Sequence, residues 1–276
     1  MNKISNRKRI IIVSILIAII YLFIRDSELG AIIIAGKKID LFKALIIGLF
    51  TYLGTYWALF FRIRGERFIT VLLFPTLGVV LLSLLGELIL VSLLSSLGQA
   101  TLIVVSTIII GFYLYIVLLT INILNISFLE NIPLALAARG ALFSIALINA
   151  YLVFFMVFSN DINIFLRLSI IFIMTGLLVN VCLWSVEYSL RSRIFVAIAI
   201  GLILALLGFV LSIWPLIPPY LALIMALFFY IFLNISMEIR EIIGKWIWVE
   251  YFTLVLLIIM FLLLLPEWGI NGPIFF

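Results

Sequence analysis

Histidine is absent from the chain, and cysteine occurs once, as Cys182. The first absence removes Ser-His-Asp triads, His-ligated zinc or haem, and imidazole proton relays. The second removes an intramolecular disulfide and any multi-cysteine metal site, and leaves the redox compartment unmarked. Charge is scarce too. Charged residues make up 11% of the 276, against roughly 25% in soluble domains. A chain so poor in charge could not cover its own surface in water. No aspartate falls in the middle of an apolar run, and no two carboxylates lie close in sequence there. That weighs against an aspartyl intramembrane protease, an Asp-rich prenyl-diphosphate enzyme and a proton-coupled pump. No linker, low-complexity tract or long loop interrupts the chain, so residues 1–276 read as a single transmembrane domain.

What the sequence does contain is hydrocarbon: 67% of residues are hydrophobic, with a mean hydropathy of +1.47. Backbone groups in lipid must be satisfied internally, which leaves helices or a closed barrel. A barrel needs short segments of alternating polarity. Here the apolar runs are continuous, as in 10–24 and 194–213, and that is the helical pattern. The expected fold is therefore all-α and integral to the membrane. It is a polytopic helical bundle of about nine transmembrane helices, within a range of about seven to ten. The expected spans are 10–24, 44–61, 68–85, 101–124, 140–158, 164–186, 194–213, 220–236 and 246–265. The first follows a basic start and could be a signal peptide. Arg25-Asp26-Ser27 stands where a small-x-small cleavage site belongs, so an uncleaved span is the expectation. Residues 31–41 suggest a small hairpin. At 86–100, Ser92, Ser95, Ser96 and Gln99 face away from Leu90, Leu93, Leu94 and Leu97, the pattern of one interfacial helix.

Charge sets the orientation. With the N-terminus cytoplasmic, twelve of the 17 lysines and arginines fall inside, and five fall outside: Arg25, Lys37, Lys38, Lys43 and Arg167. That asymmetry obeys the positive-inside rule and puts the C-terminus outside. Trp57, Trp184, Trp246 and Trp248 fall near the inner boundary and Trp214 and Trp268 near the outer one, as aromatic belts require. The same rule explains the net charge of +5 without nucleic acid.

Several residues stand out against this background. Arg62, Arg64 and Arg67 form the densest cationic motif, either a stop-transfer signal or a cytoplasmic contact for lipid phosphates or a partner. Asn149, Asn180 and Asn122 lie within spans, where an amide seeks a partner across a helix interface or lines a path. Glu87, Arg167 and Glu250 sit near span ends, with Arg167 able to snorkel or to pair with Glu87 or Glu267. Ala197, Gly201 and Ala205, extended by Gly208, form a small-xxx-small stripe for close helix packing. Pro75 and Pro215 are positions at which helices kink or break.

Three functions fit. The first is a non-enzymatic component or subunit of a membrane assembly in the cell membrane. Its partners are lipids and other membrane subunits or a second copy, and it needs no cofactor. The second is a transporter or flippase-like protein for a lipid or weakly polar solute, with a cavity lined by Asn149 and Asn180. The third is a lipid-modifying enzyme using Glu87, Glu187 or Glu250 with arginines and a metal.

Overall fold

Leucine, isoleucine, valine and phenylalanine in uninterrupted runs leave the backbone little alternative to helix. The computed structural model describes residues 6–26, 32–34, 37–39, 41–59, 67–92, 96–127, 134–186, 188–238 and 245–264. Among these are α1 (Asn6–Asp26), a pair of three-residue strands, β1 (Ile32–Ile34) and β2 (Lys37–Ile39), then α2 (Leu41–Ala58), α3 (Arg67–Ser92) and α4 (Ser96–Ser127). There follow α5 (Leu134–Ser159), α6 (Ile164–Ser185), α7 (Leu190–Ser212), α8 (Pro218–Glu238) and α9 (Lys245–Leu264). The strands pair antiparallel, with Ile32 opposite Ile39.

Helix starts follow local chemistry. Asn163 caps α6 by accepting from the Phe165 N–H, and Ser189 caps α7 by accepting from the Ser192 N–H. α5 begins directly after Pro133, and α8 begins at Pro218, where a missing N–H costs nothing. Pro215 lies in the break between α7 and α8. Pro75 does not break α3, which continues through it. There the Thr76 hydroxyl donates to the Leu72 carbonyl at 2.9 Å, the kind of side-chain adjustment that lets an apolar helix tolerate proline.

Six helical segments are long and apolar enough to cross a membrane: Val71–Ile89, Ala100–Ile126, Leu134–Ser159, Ile164–Ser185, Leu190–Ser212 and Pro218–Met237. The structure corrects one expectation. Residues 86–100 do not form a separate interfacial helix. α3 runs on through Glu87 to Ser92, and α4 starts at Ser96. The leucine-rich stretch after Gly86 holds no breaker, so the helix persists. It ends among serines, which compete for backbone groups and favour helix ends.

The chain divides into two compact units, residues 1–149 and 150–276, with the boundary inside α5. In the first unit, four helices pack in a cycle: α1 on α2, α2 on α3, α3 on α4, and α4 back on α1. The core repeats at helical spacing. Ile10, Val13, Ile17 and Tyr21 of α1 meet Ile110, Leu114 and Leu118 of α4, with Ile47, Ala58 and Val79 between. Glycines set the approach distances. A Cβ on Gly48 would lie 2.8 Å from Val80 of α3, and one on Gly54 would lie 3.0 Å from Val13 of α1. In the second unit, α6, α7 and α8 pack on one another and α9 packs on α8.

Candidate functional site

The most constrained polar group in the first unit lies within its apolar interior. Asn149 of α5 has no exposed surface. Its Nδ2 donates to the Tyr113 hydroxyl at 2.9 Å, and that hydroxyl lies 3.1 Å from Oδ1. One phenol thus faces both ends of one carboxamide and supplies what an amide in hydrocarbon needs. Tyr113 reaches this position because Gly78 of α3 has no side chain. A Cβ there would overlap the Tyr113 hydroxyl and ring. Three helices, α3, α4 and α5, are therefore keyed together at one point.

A second set of contacts marks the helix ends. Arg25, in the last turn of α1, donates through Nη1 to the Tyr21 hydroxyl at 2.8 Å and to Ser106 Oγ of α4 at 3.2 Å. Its guanidinium also lies 5.6 Å from the centre of the Tyr21 ring. Buried Lys43, at the start of α2, donates to the Arg25 carbonyl at 3.2 Å, so a cation meets a helix C-terminus. Gly86 of α3 faces the same tyrosine hydroxyl. Near the other end of α1, Arg9 lies 5.9 Å from the Trp57 ring of α2.

The second unit has the same organisation. Arg167, near the start of α6, donates to Ser212 Oγ at the end of α7 (3.1 Å) and to the Asn160 carbonyl (3.4 Å), and lies over the Phe158 ring. Its bonds go to a hydroxyl and a carbonyl in place of the carboxylate partner expected from the sequence. Tyr188, before α7, donates to the Ser236 carbonyl of α8 at 2.6 Å. Trp214, after α7, donates to the Leu262 carbonyl of α9 at 3.0 Å. Tyr230 donates to Glu250 Oε1 at 2.6 Å, a short charge-assisted bond on an exposed face.

The remaining sequence candidates are dispersed. Asn180 is half-buried on α6, with Oδ1 lacking a hydrogen-bond partner, and it belongs to the second unit while Asn149 belongs to the first. Asn122 and Glu87 are half-buried on α4 and α3. Ala197, Gly201 and Ala205 are buried on α7 together with Gly208. A Cβ on Gly201 would stand 2.9 Å from the Phe172 carbonyl of α6, and one on Gly208 would stand 2.7 Å from the tip of Ile171. Arg67 opens α3, with only its backbone described. Arg62, Arg64, Glu187 and Glu267 lie outside the described residues. Sequence reasoning missed Tyr113 and Gly78. The available signal was a tyrosine in the middle of an apolar run, since a buried phenol needs a partner.

Compared with known proteins, the chain matches no family model, no curated protein and no solved structure. Its class rests on its own features: an all-helical architecture, apart from one short hairpin, with six helices able to span a membrane.

Proposed function

We propose that the chain is a multi-pass, non-enzymatic component of the cell membrane that works by association with other membrane subunits or with a second copy of itself. The observation that carries this reading is the Tyr113–Asn149 pair. The mid-span amide that would serve a transport path is fully buried and faces the tyrosine of the neighbouring helix. The conspicuous polar groups of both units bond at helix ends or across helix interfaces, which is the work of packing and docking.

About nine crossings, with the N-terminus cytoplasmic and the C-terminus outside, complete the proposal. Antiparallel packing supports it. Gly111 of α4 faces Ala18 of α1, while Ser106 faces Tyr21, so the residue numbers run in opposite directions along the two helices. The Arg25 cluster gathers the end of α1 and the starts of α2 and α4 with Gly86 of α3, as alternate threading requires. In the second unit, the Arg167, Tyr188 and Trp214 contacts join successive helix ends in the same alternating order.

The test is the size of the particle. Crosslinking in native membranes followed by extraction in mild detergent should give a species larger than one 31.3 kDa chain. A chain that stays alone after crosslinking would overturn the association reading.

A further inference from the structure

The outward side of the α1–α4 pair carries a feature that helix packing leaves unused. An open groove of about 340 Å³ runs between the two helices. Its walls are Ile11, Ile15, Ile19 and Leu22 of α1 and Ile108 and Phe112 of α4. Its floor is shallow because small residues meet there, with Gly111 seated against Ala18 and the Ser14 carbonyl. From residue 11 to residue 22 the groove follows α1 for about 16 Å at about 1.5 Å per residue, roughly half of a ~30 Å hydrocarbon core.

One end of the groove is cationic. The positions 11, 15, 18 and 22 advance along one helical face, and the next position on it is 25. Arg25 is half-buried there, held by Tyr21 and Ser106, beside the ammonium of Lys43. Ser106 is the immediate neighbour of Thr107, which lines the groove. Arg25 has donors to spare: Nη1 is committed, whereas Nη2 has no acceptor among the described residues. An unsatisfied guanidinium donor at the edge of hydrocarbon is costly, and phosphate is the acceptor whose geometry a guanidinium matches best.

We infer that the α1–α4 groove holds one acyl chain of an anionic glycerophospholipid whose phosphate is bound by Arg25 and Lys43. The hydrocarbon chain covers the isoleucine walls, and a small rotation of the guanidinium brings Nη2 onto the phosphate. This extends beyond the association reading and does not depend on it, because a lipid count and a chain count are separate readouts.

Native mass spectrometry of the full chain, stripped of lipid in detergent and titrated with phosphatidylglycerol, tests the inference. Diacylglycerol with the same chains serves as the phosphate-free control. The expected result is one tightly held phosphatidylglycerol per chain, with diacylglycerol at least tenfold weaker. Arg25→Gln should weaken phosphatidylglycerol at least tenfold, and Arg25→Lys should restore part of the loss. Because Arg25 also ties α1 to α4, a second variant acts without touching that tie. Ile108→Trp, at a position 64% exposed, fills the groove and should cost at least tenfold as well. Three results would overturn the inference: equal retention of diacylglycerol, unchanged lipid occupancy in Ile108→Trp, or an Ile15→Cys crosslink showing a second copy of the chain seated in the groove.

Discussion

At the residue scale, the Tyr113–Asn149 pair makes opposite predictions for single and double substitutions. Tyr113→Phe leaves a buried amide unpaired and should destabilise the fold by about 1–3 kcal/mol, whereas replacing both partners by apolar groups should be nearly neutral. Tyr113→Phe with Asn149→Leu should therefore recover most of the loss in thermal unfolding in detergent. Gly78 and Gly140 offer a matched contrast. A methyl group on Gly78 collides with Tyr113, while nothing lies within 4 Å of one on Gly140. Gly78→Ala should cost about 3 kcal/mol. Gly140→Ala, within α5, should gain up to about 1 kcal/mol from helix propensity, and comparing the two melting temperatures checks both signs. Asn149 was visible in the sequence because an amide is conspicuous in hydrocarbon. Tyr113 and Gly78 were hidden, because an aromatic ring and a glycine look like ordinary packing material until a third helix places the amide beside them.

At the element scale, the α6–α7 interface separates two glycines that look equivalent in the sequence. A side chain at Gly201 meets the Phe172 backbone carbonyl, which cannot move without shifting α6. A side chain at Gly208 meets the flexible tip of Ile171, which can rotate away. Gly201→Ala should thus cost about 1–3 kcal/mol and Gly208→Ala less than about 1 kcal/mol, as read by unfolding of the purified chain. Long apolar runs and prolines made most helices legible, since both act locally. The division between α3 and α4 was not. A serine-rich face fits a surface helix and the frayed junction of two buried helices equally well, and the choice depends on contacts with α1 that no wheel displays. Gly86 beside Tyr21 is one of those contacts.

For the whole molecule, alternate threading puts Asp161 and Arg191 on opposite sides of the membrane, although only α6 separates them. Both are exposed, and the native Cys182 is buried. In a Cys182→Ser chain, a membrane-impermeant maleimide should label Asp161→Cys on intact cells and Arg191→Cys only after the inner face is opened. The central claim is that the polar groups within the spans are closed off as packing, and reaction at Asn149→Cys tests it most directly. Packing predicts no reaction with a small water-soluble thiol reagent from either side of the membrane until the chain is denatured. Reaction at the rate of a loop cysteine would mean that water reaches the middle of α5, and would contradict it.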